Sequence, residues 1–435
     1  MTQYTVPQPV LSILRQLRAG GHEAWLAGGC VRDLLLGRAP RDWDVATSAD
    51  GPSVASLFPR INPVGLRHNT VGVFEDGFWV EVTTFRDPGR SLEGDLGLRD
   101  FTVNAIAFNP LDDRLVDPLD GRSDLTSQCL RACGEASARF DEDPLRILRA
   151  ARFIAELGFR PHEAVTDAGR VGCHSVRHCA PERIRDELLK LILGPEVRAS
   201  FAWMQQTGLL EVILPHVAVT QGVTQNRFHR WDVYWHTVET VARAVADPEV
   251  RLAGLYHDLG KPATREWRKG DYTFYNHERI SAEIADADLD HYRLSSQRRQ
   301  RIVSLVNNHM FHYEPSWSDA AVRRFLRRVG PDLMEPLFEL RRADSSASGM
   351  GGEEETNHNL CLLNDRIQRQ QAAHAAVKVT DLDISGHDVI ALTGQRGPAV
   401  GRILREMLER VTDDPALNRK DLLLREIERW TRDQH

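Results

Sequence analysis

Residues 26–48 read LAGGCVRDLLLGRAPRDWDVATS, and this stretch decides how the chain starts to fold. A short strand pattern runs into Gly28 and Gly29, a helical pattern opens at Cys30, and a second strand pattern carries Asp42 and Asp44. Residues two apart on a strand face the same way, so both carboxylates can reach one divalent ion. Hard oxygen ligands of this kind suit Mg2+ that also touches phosphates. The glycines let backbone approach a phosphate at a helix N-terminus, where free N–H groups and the dipole favour anions. Arg32, one turn in, can add a charge-assisted contact. Each element alone is a common turn or surface feature; strand, Gly-Gly, helix and Asp-x-Asp in one short run point to phosphoryl transfer. A pair of ions serving an attacking hydroxyl and a triphosphate calls for a third carboxylate on a neighbouring strand. Glu81 in FWVEVTTF is the candidate, and a charge on the solvent face of that strand is the alternative reading.

Outward from this stretch, PVLSILRQLRAGG reads as helix, and VGVFEDG and FWVEVTTFR read as strands. From about Asp141 onward strand patterns nearly vanish and amphipathic helical stretches follow one another, so the fold class is α+β with a mostly helical second part. The segment DSSASGMGGEEETNH, from Asp344 to His358, is rich in Ser, Gly and Glu and reads as a mobile loop or linker before a C-terminal domain. A length of 435 residues leaves room for several domains. With 55 basic and 62 acidic residues the formal net charge is -7, so a polyanionic partner must be met by local basic patches. Six cysteines without CxxC spacing fit a reducing compartment rather than a disulfide framework. No apolar run approaches the length of a membrane span and the N-terminus lacks a secretory pattern, so the expected location is cytoplasmic, with no membrane partner.

In EDPLRILRAARFIAELGF, acidic residues and Pro144 mark a helix start, and Asp143, Arg146, Arg149 and Arg152 recur every third residue. One reading is a solvated face with intrahelical ion pairs. The other is a base reader. A carboxylate accepts from the exocyclic amine of cytosine or adenine while a guanidinium donates to the neighbouring ring nitrogen or carbonyl, and guanine and uracil are rejected.

Further along, His236, His257 with Asp258, His277, His309 and Asp344 lie in separate stretches: VYWHTVETV, LYHDLGKP, YNHERIS, VNNHMFHYE and RRADSS. One such histidine is usually structural; the series reads as a cluster of imidazoles and carboxylates around metal. The run CHSVRHC from Cys173 to Cys179 is too compact to wrap four ligands around one ion.

These pieces in this order resemble the class II tRNA nucleotidyltransferases, the bacterial CCA-adding enzymes and their poly(A) polymerase relatives. The resemblance rests on LAGGCVRDLLLG, RDWDVATSA, VEVTTFR, LRDFTVNAIAFNP, LVDPLDGRSDL, EDPLRILRAARF and ERIRDELLKLI, with DISGHDVIALTGQRGPAVGRILREMLERV in the tail. It implies a polymerase-β-like catalytic head over residues 1–138, a base-selecting helical neck over 139–195 and a body over 196–228. A metal-dependent HD phosphohydrolase domain over 229–350 and a helical, tRNA-gripping tail over 351–435 complete it. By the same resemblance Asp42 and Asp44 hold Mg2+, Gly29 and Arg32 hold the triphosphate, and Arg99 and Asn104 belong to the ribose and phosphate site. Asp143, Arg146, Arg149 and Arg152 contact base and phosphate. The histidine series resembles the HD phosphohydrolases, which implies His236, His257, Asp258 and Asp344 in one metal site and His277 and His309 at a second ion or a phosphate. The expected metal there is Mg2+ or a transition metal (Mn, Ni, Co or Fe), with Lys261 placed to neutralise phosphate, and the expected substrate is a damaged tRNA end with a cyclic or terminal phosphate.

Two features depart from the family pattern. Leu98 precedes Arg99 and Asp100 where the family usually has RRDFT, and Asp87, Pro88, Gly89 and Arg90 alone join TTFR to the next helix, where CCA-adding relatives carry a longer, charged loop. That loop is thought to act as a lever that shifts the neck from recognising C to recognising A. A joint of four residues is too short to reach and push. The expectation is therefore addition of two cytidines from CTP to the tRNA 3′ end, with a separate A-adding enzyme as functional partner. A complete CCA-adding enzyme that also uses ATP is the alternative, and a phosphohydrolase with an RNA-binding, non-catalytic head is the alternative of another class.

Overall fold

Pro7 presets the backbone ahead of the helix Gln8–Ala19, whose Val10, Ile13, Leu14 and Leu17 are buried at helical spacing. That face packs on a sheet of seven strands: β1 (Ala24–Ala27), β2 (Asp44–Thr47), β3 (Ile61–Asn62), β4 (Thr70–Glu75), β5 (Phe78–Thr84), β6 (Ala107–Asn109) and β7 (Arg114–Val116). The order across the sheet is β3-β4-β5-β2-β1-β6-β7, and β2 with β5 is the parallel pair. The computed structural model describes residues 6–62, 70–372 and 378–433. The chain divides into two units, Met1–Pro215 and His216–His435.

The Gly-Gly turn forms as its sequence suggests. Gly28 takes φ 89°, a conformation open to glycine, and the helix Gly29–Leu35 starts at once. One expectation needs correcting. Strand β2 opens at Asp44, so Asp42 lies in the bend before it rather than two along the same strand. The reason is that β1 ends at Ala27, where Gly28 turns away, and the ladder begins at Leu26 opposite Val45.

Apart from a short parallel pair of Cys129–Leu130 with Arg160–Pro161, the rest of the first unit is mostly helical. Leu145–Leu157 buries Ile147, Leu148, Ala150, Ala151 and Phe153 against Pro181–Ile192 and Val197–Thr207, and Gly158 at φ 73° ends it. Phe153 meets Phe101 edge-on at 5.6 Å, which fixes the LRDFT stretch beside this helix.

In the second unit, Val233–Arg243, Pro248–Tyr256, His277–His291, Ser296–Asn308 and Met334–Ser348 pack together, the first two capped by Asp232 and Asp247. The segment expected as a linker from Asp344 to His358 is instead mostly helix. Met334–Ser348 runs through DSSAS, and after four residues Glu353–Ala372 begins and packs back on it. Burial explains this: Ala343 and Ala347 face the core, while Ser345 and Thr356 share a 2.9 Å hydrogen bond across the break. A hairpin of Glu266–Arg268 and Asp271–Thr273 turns at Lys269 and Gly270, both at positive φ. The C-terminal helices Gly386–Thr393, Pro398–Asp413 and Lys420–Asp433 share a core of Val389, Ile403, Met407, Val411, Leu423 and Ile427.

Candidate functional site

In the head, parallel pairing places Asp44 of β2 directly beside Glu81 of β5, and Asp42 and Glu81 are exposed while Asp44 is half-buried. Burial, then the Glu81 carboxylate, pushes the Asp44 carboxyl up to about 6, with Asp42 adding to the effect and Arg99 opposing it. A carboxyl held up by burial and by two neighbouring carboxylates belongs to a donor set lacking a cation, so these residues fit a hard divalent ion. Gly28, whose φ of 89° favours glycine, also leaves room here: a Cβ would fall 2.6 Å from an Arg99 guanidinium nitrogen and 3.6 Å from Asp44 Oδ2. The Arg99 Nε is buried with no hydrogen-bond partner, and its Nη2 is held 3.2 Å from the buried Asp95. Arg32 is buried, donating to Asn104 Oδ1 at 2.9 Å and facing Asp33 and Glu156.

Behind them the neck arginines form a network of charges. Arg149 donates through Nε and Nη2 to one oxygen of Asp100, Oδ2, at 2.9 and 2.5 Å, and reaches Glu187 at 3.1 Å. Arg152 lies 2.8 Å from Glu187 and 3.9 Å above the Phe153 ring. Burial alone would raise the Asp100 carboxyl, but Arg149 and the bonds from Asn104 and the Phe101 amide hold it well below the usual range. Arg146 donates to the Leu98 and Arg139 carbonyls, both at 3.0 Å. Asp143 precedes the helix rather than sharing its face, accepting from the Leu145 amide at 3.2 Å and from Arg183 at 2.8 Å. Asp95, Asp100, Glu156 and Glu187 were not singled out from sequence. Glu187 did leave a signal: it is a carboxylate on the apolar face that carries Ile184, Leu188 and Leu191.

The second unit gathers all six predicted metal ligands. His257, His277 and His309 each approach a backbone carbonyl three residues earlier through Nδ1, at 2.8, 2.7 and 2.7 Å. A carbonyl can only accept, so Nδ1 carries the proton and the Nε2 lone pairs turn inward. There His236 and His257 Nε2 lie 3.3 Å apart, as do His277 and His309 Nε2. The facing lone pairs of His277 and His309 repel unless a cation sits between them, and metal–nitrogen bonds of about 2.0–2.1 Å at tetrahedral angles separate ligands by about this distance. The residues therefore fit metal. They form two groups, His236 with His257 and Asp344, and Asp258 with His277 and His309. Asp258 touches both, its Oδ2 3.2 Å from His257 and its Oδ1 3.1 Å from His277. Burial, reinforced by His257 and His277, pushes His309 down to about 3, the neutral form a ligand needs.

Around the cluster, Lys261 lies 2.7 Å from Asp258 and donates to Gln225 at 2.6 Å, and Arg341 holds Asp344 at 2.9 Å. His229, unmarked in the sequence reading, packs edge-on against His236 at 4.9 Å. Burial, Lys261 and His236 push it down to about 3. The Cys173 thiol is buried and donates to the Arg170 carbonyl, while His174 and His178 are exposed.

Comparison with known proteins gives three family matches: the poly(A) polymerase head domain over residues 24–131, a probable RNA- and SrmB-binding site of polymerase A over 158–220, and the HD domain over 233–351. An A-adding tRNA nucleotidyltransferase of Deinococcus radiodurans is 35% identical over 412 residues, 89% of this chain and 91% of that protein. A CC-adding tRNA nucleotidyltransferase of Thermus thermophilus is 34% identical over 414 residues, 89% of each. Among solved structures, the Bacillus stearothermophilus CCA-adding enzyme in complex with CTP superimposes with a TM-score of 0.74 at 27% identity, covering 99% of both chains. No helix among the described residues is long and apolar enough to cross a membrane. The chain belongs to the tRNA nucleotidyltransferase family and is an enzyme of it.

Proposed function

We propose that this tRNA nucleotidyltransferase adds two CMP residues from CTP to the 3′ end of tRNA and stops, leaving the terminal adenosine to a separate enzyme. The observation that carries this reading is the joint after β5. Asp87 closes it on itself, accepting from the Gly89 amide at 3.1 Å, the Ser91 amide at 2.7 Å and the Ser91 hydroxyl at 3.1 Å. Ser91 then caps the helix Leu92–Gly97, and Arg86 is tied to Asp95 at 2.8 Å. A segment so short and so internally bonded has no free length with which to act as a lever on the neck.

In this reading Asp42 and Asp44, with Glu81 alongside, would hold Mg2+, which would supply positive charge for the triphosphate and the attacking 3′-oxygen. Gly28 and Gly29 bring the start of the helix close to the phosphates, and Arg99 and Arg32, the latter steadied by Asn104, meet their charge. Asp143 and Arg146 face the base, and Arg149 and Arg152 are held in register by Asp100 and Glu187. The 3′-hydroxyl displaces pyrophosphate from the α-phosphorus, and catalysis comes mostly from positioning and electrostatics.

The HD-type cluster serves a second activity, hydrolysis of phosphate-bearing ends. His236, His257, Asp258, Asp344, His277 and His309 would hold a transition metal, Mn, Ni, Co or Fe, or Mg2+, which supplies an activated water. Water adds across one P–O bond of a 2′,3′-cyclic phosphate and leaves a phosphomonoester and a free hydroxyl, while Lys261 sits where the phosphate charge is met.

The test offers tRNA ending at the discriminator base, and tRNA ending in CC, with CTP, ATP or both, and sizes the products. Two cytidines on the first and nothing on the second are expected. A second reading follows from the Deinococcus relative's name, and incorporation of ATP alone onto the CC end would establish it. A full CCA would overturn both.

A further inference from the structure

The HD-type cluster has a rim that neither packing nor metal binding accounts for. Phe228, Trp267 and Tyr275 are 61%, 64% and 67% exposed, three of the five exposed aromatic residues among those described. Each is tied to the cluster. Phe228 precedes His229, whose ring lies 4.9 Å from His236, and Tyr275 stands two residues before His277. Trp267 sits on the hairpin, its ring 4.8 Å from Tyr272. The hairpin is joined to the Phe228 loop, where the Arg227 amide donates to Asp271 at 3.4 Å, and to Tyr275, where the Arg268 guanidinium lies 5.6 Å from the ring. Arg268 and Asp271 share one face of the hairpin, so Phe228 and Tyr275 flank that face, while Trp267 with Tyr272 stands on the other.

Cations interleave with them. Arg227 lies 5.1 Å from the Phe228 ring and Arg265 3.8 Å from Tyr272. Residues 226–231 and 265–275 carry five basic residues against two acidic, in a chain whose net charge is -7. Rings with guanidinium groups between them take bases by stacking and phosphates by charge, without reading sequence. A free mononucleotide engaging the cluster would leave most of these rings unused, whereas several consecutive unpaired nucleotides would cover them.

We infer that this rim grips single-stranded RNA, so that the HD-type site acts on phosphorylated ends of unpaired RNA in preference to free nucleotides. The inference rests on the phosphohydrolase reading above. It is tested on the full-length protein supplied in turn with Mg2+, Mn2+, Ni2+ and Co2+. The substrates are a short unstructured oligoribonucleotide ending in a 2′,3′-cyclic phosphate and the corresponding cyclic mononucleotide. The oligonucleotide KM is expected to lie about tenfold or more below that of the mononucleotide, and the Phe228→Ala, Tyr275→Ala double variant to raise it by about tenfold or more. Both rings are exposed, so neither substitution removes core. Equal KM values in the wild type, or a preference that survives in the variant, overturns the rim and leaves the hydrolase standing. No turnover of either substrate with any metal overturns both.

Discussion

Asp42 and Glu81 of the head stand exposed beside a half-buried Asp44, whereas His236, His257, Asp258, His277 and His309 of the second unit are all at most 3% exposed. In the first site only the paired strands and one glycine turn set the geometry. In the second, three imidazoles are locked by their own backbone carbonyls and the remaining donors already converge. The difference separates a site completed by its substrate from one assembled before any substrate arrives. Open carboxylates bind a hard ion together with a triphosphate that must enter and leave at every turnover. Buried imidazoles oriented in advance suit an ion that stays.

The sharpest way to break this comparison is to disable each site separately. Asp42→Ala is expected to lower nucleotide incorporation by about a thousandfold or more while end hydrolysis persists, and His257→Ala to do the reverse, each being a difference in kcat/KM. Loss of both activities in either variant would show that the sites are not separate.

A smaller effect is expected from Glu187→Gln, which leaves Arg149 and Arg152 short of a carboxylate without touching the metal ligands. Incorporation should fall by about 10- to 100-fold, with KM for CTP raised more than kcat is lowered. Unchanged kinetics would mean that Asp100 suffices to hold Arg149 and Glu156 to hold Arg152. Next in size is the pH dependence of the head. The Asp44 carboxyl, raised to about 6, must be ionised to bind metal, so protons compete below that pH and not above it. The Mg2+ concentration for half-maximal incorporation should rise by about tenfold per unit below pH 6 and stay flat between pH 7 and 8. A flat response throughout would remove Asp44 from the ion. The smallest effect belongs to Asp87→Ala, which opens the joint after β5. A loss of about 1 kcal/mol in urea denaturation is expected, with product length unchanged. A longer product would show that the closure itself sets the stopping point.

Much of the head was legible because its signals are local. Gly28 and Gly29 announce a turn whose φ of 89° admits glycine, and Asp42 and Asp44 lie on either side of the start of β2. The placement of Asp42 on the strand was misread because strand extent depends on the partner, and β1 stops at Ala27. The supposed linker from Asp344 to His358 was misread for the opposite reason. Its composition favours loop, yet Ala343 and Ala347 are buried and tertiary packing overrides that preference.

What the sequence by itself determined is the set of chemical groups and their order: glycine turn, carboxylates, arginine stripe, then histidines and aspartates spread over the second unit. Those follow from residue type, backbone permission and short-range periodicity, which act over a few positions. Only the tertiary structure decided which groups meet. Glu81 lies beside Asp44 because β2 and β5 pair in parallel, and Arg149 lies on Asp100 across 49 positions. His236 lies on Asp344 across 108 positions because helices far apart in the chain bury their faces together. Such contacts arise from packing, which no local pattern encodes.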